Sequence, residues 1–294
     1  MPYFSISGGI PLSGCCRIHG AKNAVLPILA AAVLTRKPVR LLDVPELTDV
    51  SNMCKILRLL GCRVAREGAA LLIDGADADC FALPEDLSKE LRSSIFLLGP
   101  VLGRFRQAVV TYPGGCEIGN RPIDLHLKGL SALQAQIVEE GGRIRCDGGS
   151  LTGATIHLDY PSVGATENIM MAATAADGET VIKNAAREPE IVDLQSFLNA
   201  AGFSVRGAGS STVVIRGGCE PREVSFRIMP DRIVTGTVLA AAAITGGSVT
   251  VENVCPEHLS GTLAKLEEAG CALTLYDRAI RLAAPDRLHA ISRL

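Results

Sequence analysis

Residues 113–124 read Pro-Gly-Gly-Cys-Glu-Ile-Gly-Asn-Arg-Pro-Ile-Asp. Three glycines free this backbone to take positive φ and approach a ligand closely, and the turn presents the thiol of Cys116 five residues from the guanidinium of Arg121. A thiol beside a fixed cation is biased toward thiolate, so Cys116 can act as nucleophile or proton donor. The planar fork of Arg121 suits bidentate contact with a phosphate or a carboxylate. A surface hairpin with a half-buried cysteine would carry the same residues, and the rest of the chain decides between the two readings.

The elements that must hold this loop repeat. Four apolar stretches of small residues, 25–34, 95–102, 169–176 and 237–244, recur about every seventy residues. After each comes a predicted strand (39–42, 108–111, 180–182, 248–251), then an amphipathic helix, then two strands separated by a turn. Met53, Ile56, Leu57 and Leu60 form the apolar stripe of one amphipathic helix; Leu194, Phe197, Leu198 and Ala201 form another. Ile123, Leu127 and Leu130, and Leu259, Leu263 and Leu266, repeat the pattern in the second and fourth units. Gly61, Gly202 and Gly270 stand where three of these helices should end in a left-handed residue, with Gln134 in that place in the second unit. The predicted class is therefore α/β, built from α+β repeats.

The apolar stretch of each unit is hydrophobic all round, which predicts a buried helix. Their starts carry Lys22-Asn23, Arg92-Ser93-Ser94, Ser162-Val163-Gly164 and Asp231-Arg232. Free backbone N–H groups, a positive helix end and adjacent cations make an anion site, so several such ends at one cleft would suit a multiply charged phosphate ester.

Composition narrows the class. A chain of 294 residues with 48% hydrophobic content predicts about two domains. A formal net charge of −2 argues against nucleic acid as a partner. The longest apolar run, 24–34, is interrupted by Pro27 and falls short of the ~18 residues that span a bilayer; with no basic and apolar leader, no membrane association is expected. None of the ten cysteines forms a C-x-x-C pair, which predicts no zinc site and a reducing, cytoplasmic compartment. No metal or other cofactor is implied. The five histidines (His19, His126, His157, His258, His289) are scattered and read as structural or solvated.

Gly-Ala-Lys-Asn at 20–23, Pro-Gly-Gly-Cys at 113–116, Gly-Asn-Arg-Pro-Ile-Asp-Leu-His at 119–126, Ser-Val-Gly-Ala-Thr at 162–166, Asn-Ala-Ala-Arg-Glu-Pro-Glu-Ile-Val-Asp at 184–193 and Pro-Asp-Arg-Ile at 230–233 together resemble the UDP-N-acetylglucosamine 1-carboxyvinyltransferase family of enolpyruvyl transferases. The resemblance runs the length of the chain. It implies an inside-out α/β barrel of βαβαββ-type units, four of an expected six being present. It also implies a complete three-unit domain at 21–229, an incomplete second domain from 1–20 plus 230–294, and a partial sequence with little activity alone.

The reaction it implies is transfer of the enolpyruvyl group of phosphoenolpyruvate to the 3′-hydroxyl of UDP-N-acetylglucosamine. Cys116 would be the proton donor, and Lys22, Arg121 and Arg92 would clamp phosphate and carboxylate. Asn23, the segment Arg121, Pro122, Ile123, Asp124 and Leu125, and the turn Ser162, Val163 and Gly164 would surround the nucleotide sugar, with Tyr160 as a further contact. Glu188, Glu190, Asp231 and Arg232 would line the cleft or hinge. A base and a late arginine of the family fall in the units not present here. The alternatives are an inactive binder of UDP-sugar or phosphoenolpyruvate, the related 5-enolpyruvylshikimate-3-phosphate synthase, and a purely structural repeat protein.

Overall fold

The computed structural model of the chain describes residues 3, 5, 7–112 and 123–291, so Cys116, Arg121 and Pro122 lie outside the described residues. The first elements are β1 (Ser13–Arg17), α1 (Lys22–Thr35), β2 (Val39–Leu42), α2 (Thr48–Leu59), β3 (Arg63–Glu67) and β4 (Ala70–Asp74). Then come α3 (Glu85–Glu90), a 3-10 segment Arg92–Leu97, α4 (Leu98–Phe105), β5 (Gln107–Thr111), α5 (Asp124–Ala132), β6 (Gln136–Glu140) and β7 (Arg143–Asp147). A third stretch holds β8 (Thr155–His157), α6 (Val163–Ala173), β9 (Glu179–Lys183), α7 (Pro189–Ala200), β10 (Ser204–Arg206) and β11 (Thr212–Arg216). The last holds β12 (Val224–Arg227), α8 (Arg232–Ile244), β13 (Ser248–Glu252), a 3-10 turn Pro256–Leu259, α9 (Ser260–Glu268), β14 (Ala272–Leu275) and β15 (Ala279–Ala283). The second stretch starts with a helix and keeps only a parallel bridge, Ala82 to Val109, where the others have a first strand.

Two compact units result, Lys22–Met229 and Met1–Ala21 with Pro230–Leu294. Strand pairing explains the division. β1 runs parallel to β13, with Ser13 opposite Ser248, and β12 runs parallel to β2, with Val224 opposite Val39. Each of these two sheets is thus completed by a strand distant in sequence, and parallel pairing needs such a long connection. Phe226 of β12 meets Phe197 of α7 edge to face at 5.6 Å, a contact worth about 1 kcal/mol beyond its buried area.

In the larger unit, every residue of α1 from Ala24 to Thr35 and of α6 from Ala165 to Ala173 is buried, and α1, α4 and α6 pack on one another. Three sheets, ordered β12-β2-β4-β3, β5-β7-β6 and β10-β11-β9-β8, each turn one face inward. The amphipathic helices bury the expected stripes: Met53, Ile56, Leu57 and Leu60 are inaccessible, as are Leu194, Phe197, Leu198 and Ala201. The predicted left-handed ends are found at Gly61 (φ 94°), Gly202 (99°) and Gly270 (95°), and Gln134 takes the same region at 71°. In the smaller unit, α8 and α9 cover the sheet β1-β13-β15-β14 over a core that includes Ile18, Leu239, Val251, Ile280 and Leu282.

One expected helix is broken. The stretch 95–102 is a 3-10 segment to Leu97 and α-helix only from Leu98. The side chain of Asn168 on α6 sits in the backbone ladder there: its Oδ1 accepts from the Gly99 N–H at 2.6 Å, and its Nδ2 donates to the Ile95 carbonyl at 2.9 Å. Those two groups would be i→i−4 partners in an unbroken helix, so the inserted amide forces the change of pitch.

Candidate functional site

The site is assembled in the larger unit from the starts of several elements. Arg92 opens the 3-10 segment, Asp124 opens α5 and Val163 opens α6. Both α5 and the 3-10 segment pack against α6. A Cβ on Gly164 would stand 3.2 Å from the Phe96 ring of the 3-10 segment and 3.2 Å from the His126 ring of α5. Phe96 and His126 therefore stand against the turn Ser162 to Gly164, with Arg92 and Asp124 within electrostatic reach of the His126 ring. Ser162 caps it, its Oγ accepting from the Ala165 N–H. The first backbone N–H groups of α6 then remain at a positive helix end, the local arrangement that holds an anion.

The electrostatics at His126 register both charged neighbours. Burial holds His126 down to a pKa of about 4, the Arg92 charge pushes the same way, and Asp124 opposes both. Asp124 is exposed, while Ile123 and Leu125 on either side of it are buried. Tyr160 is exposed next to Asp159, which is paired with Lys128 at 2.7 Å.

Lys22 and Asn23 are exposed at the start of α1, where Lys22 forms an ion pair with Asp49 of α2. Asp49 carries no signal of its own in the sequence, because one acid in a polar first turn resembles ordinary dipole compensation. Asp231 and Arg232 belong to the smaller unit. There the expected anion-binding end is already occupied: the Asp231 carboxylate accepts from the N–H groups of Ile233 and Val234, both at 2.9 Å. Arg92, too, opens a six-residue 3-10 segment rather than a long helix, so it contributes a side-chain charge without an aligned macrodipole.

Glu188 is the residue before α7 and Glu190 lies buried in its first turn. They face Glu167 of α6, which is fully buried with neither carboxylate oxygen hydrogen-bonded; burial, then Glu190 and Glu188, push its pKa well up. The polar run Thr166-Glu167-Asn168 inside an otherwise apolar helix was the signal that could have found this network. Asp193, one turn further along α7, accepts from the Met229 N–H, and burial with Glu190 raises it from 3.8 to about 7.

A carboxyl whose pKa rises on folding stabilises the fold fully below its unfolded value and loses that contribution as pH climbs through the folded one. Asp193→Asn should accordingly gain stability over the parent between about pH 4 and 7, by roughly 2–4 kcal/mol at the upper end. Urea midpoints measured across that range check this, and parallel curves for the two proteins would refute it. Among the described residues, no group of three or more His, Cys, Asp or Glu side chains could hold a metal ion.

A family model described as EPSP synthase (3-phosphoshikimate 1-carboxyvinyltransferase) matches residues 6–292. The chain is 48% identical over its whole length to UDP-N-acetylglucosamine 1-carboxyvinyltransferase 2 of Caldanaerobacter subterraneus subsp. tengcongensis, covering 70% of that protein. It is also 48% identical, over 98% of its length, to UDP-N-acetylglucosamine 1-carboxyvinyltransferase of Gloeobacter violaceus, covering 63% of it. The chain thus spans about two thirds of the length of these relatives. Among solved structures, the enolpyruvyl transferase NikO from Streptomyces tendae superimposes with a TM-score of 0.86 at 21% identity, over 96% of this chain and 68% of that one. EPSP synthase from Acinetobacter baumannii gives 0.73, also at 21% identity, over 94% of this chain and 65% of that one. These two likenesses bear on the fold.

Proposed function

The chain belongs to the EPSP synthase family, and from that premise we propose that it carries much of an enolpyruvyl transferase acting on UDP-N-acetylglucosamine. The reaction is transfer of the enolpyruvyl group of phosphoenolpyruvate to the sugar 3′-hydroxyl with release of phosphate, the committing step of peptidoglycan synthesis in the cytoplasm. Relatives bearing that enzyme's name match the chain at 48% identity. The observation that supports the reading is the capped start of α6 at Ser162 to Gly164, against which His126 packs with the charges of Arg92 and Asp124 in reach of its ring. A diphosphate flanked by a nucleoside and a sugar needs such a pole: aligned N–H groups, one fixed cation and an acidic acceptor for a base edge.

Chemistry then proceeds by addition and elimination. The sugar hydroxyl gives its proton to a base as its oxygen attacks C2 of phosphoenolpyruvate and C3 takes a proton, and loss of phosphate with a C3 proton restores the double bond. Cys116 is assigned the proton delivered to C3, and Lys22, Arg92 and Arg121 the charge of the tetrahedral intermediate.

The test is a mass measurement. Incubated with phosphoenolpyruvate and UDP-N-acetylglucosamine, the chain should gain the mass of one phosphoenolpyruvate on Cys116 or release enolpyruvyl-UDP-N-acetylglucosamine. Product from 3-phosphoshikimate in place of the nucleotide sugar would move the assignment to the shikimate branch. A folded chain inert to both would favour a binder without chemistry.

A further inference from the structure

Glu167 sits inside an otherwise apolar helix with no exposed surface, and neither of its carboxyl oxygens has a hydrogen-bond partner. Fully buried acids are paired or hydrogen-bonded as a rule, so the fold holds this one in an unusual state. The charged company it keeps sharpens the point. Glu190, itself 3% exposed, and Glu188 act on it across the junction of α6 with α7, and both are acidic.

Charges on the other elements packed against α6 are engaged elsewhere or turned outward. Lys22 of α1 pairs with Asp49, Arg104 of α4 donates to the carbonyls of Val33 and Ala78, and His126 of α5 meets Asn168. Arg92 and Asp124 act on His126, and Lys128 of α5 pairs with Asp159. Asp193 of α7 accepts from the Met229 N–H. Glu179 and Lys183 of β9 and Arg216 of β11 are exposed. An ionised Glu167 would thus have neither a cation nor an N–H donor to hold its charge, whereas the neutral acid carries far less of that cost.

The residue beside it shows what neutrality permits. Thr166 Oγ1 accepts from the Ala186 N–H at 3.1 Å and donates to the Ser162 carbonyl at 2.8 Å. The first of these bonds fastens the stretch leading into α7, residues 186–190, onto α6, and that stretch carries both Glu188 and Glu190. A charge on Glu167 would repel the stretch from the helix to which Thr166 holds it.

We propose that Glu167 works a proton-operated latch between α6 and residues 186–190: with its proton the carboxyl lets the stretch close on the helix, and without it repulsion from Glu188 and Glu190 releases the stretch and the Ala186 bond. The latch involves no ligand, so it stands apart from the nucleotide-sugar reading. Its sign follows from linkage. The proton is held more tightly with the latch closed than open, so closure weakens as pH rises above the ordinary glutamate value of 4.5.

Carbon NMR of the full chain labelled at its carboxyl carbons, together with amide hydrogen exchange, tests this. At pH 7 the Glu167 carboxyl carbon should resonate as a protonated acid. Corrected for the intrinsic exchange rate, protection of the Ala186 amide should fall about tenfold per pH unit between about pH 5 and 8, with Ala186 exchanging faster than the amides of α1. Glu167→Gln keeps the shape without the charge, so its Ala186 protection should stay within about twofold over the same range. An ionised Glu167 at pH 7, protection of Ala186 independent of pH in the parent, the same fall in Glu167→Gln, or Ala186 exchanging no faster than α1 would each overturn the proposal. The first, second and fourth of these are read on the parent alone.

Discussion

Cys116→Ser is expected to abolish covalent capture of phosphoenolpyruvate and to slow any enolpyruvyl transfer by about 10²–10⁴-fold, while leaving affinity for UDP-N-acetylglucosamine within about twofold. A serine hydroxyl in that place is neither acidic enough to protonate the enol carbon nor nucleophilic enough to add to it. Under the function proposed, nucleotide-sugar binding would draw instead on the start of α6 and on Arg92. Intact mass and single-turnover phosphate release read the first effect, and calorimetry with the nucleotide sugar reads the second. The other cysteines supply an internal control. Burial pushes Cys62 up to about 11 and Cys146 up to about 12, and burial with a hydrogen bond to Glu257 takes Cys255 to about 11. At neutral pH these thiols carry little thiolate, so a thiol-directed epoxide should label position 116 ahead of them. An adduct that persists in Cys116→Ser would remove this residue from the mechanism.

Gly99→Ala should be a strongly damaging one-methyl change in the larger unit's core. The added Cβ would fall 2.3 Å from the Asn168 carbonyl oxygen and 2.4 Å from its Oδ1, on the face where α4 meets α6. Neither atom is free to retreat: the first belongs to the backbone of a fully buried helix, and the second accepts the Gly99 N–H. Overpacking of this kind costs about 3 kcal/mol, which in a unit of this size lowers Tm by about 10 °C. Because α6 must shift to admit the methyl, affinity for UDP-N-acetylglucosamine should fall together with stability. A thermal midpoint within about 2 °C of the parent would mean that the α4–α6 contact is looser than these distances imply.

Much of the architecture was legible in the chain because it depends on local rules. The 3.6-residue stripes of α2 and α7 and the glycines closing them are set by periodicity and by the steric freedom of one residue, neither of which needs a partner. The buried character of α1 and α6 followed from their lack of a polar face. Lys22, Arg92 and Ser162 could be named because a cation or a capping hydroxyl beside a helix start is a pattern within a few residues.

The sequence by itself thus determined the kind of elements, their order, and the residue types offered for anion and thiol chemistry. Only the tertiary structure decided which distant strand completes each sheet, because the pairing of β1 with β13 and of β12 with β2 depends on long-range contacts that no local pattern encodes. It also decided that the helix expected at 95–102 breaks, since the cause is a side chain some seventy residues away on α6. And it decided that the Asp231 carboxylate closes the end of α8 while the start of α6 meets His126, with Arg92 and Asp124 within electrostatic reach of that ring. Whether a helix end can receive a ligand depends on which neighbours already occupy its N–H groups, and for α6 those neighbours arrive through folding from other parts of the chain.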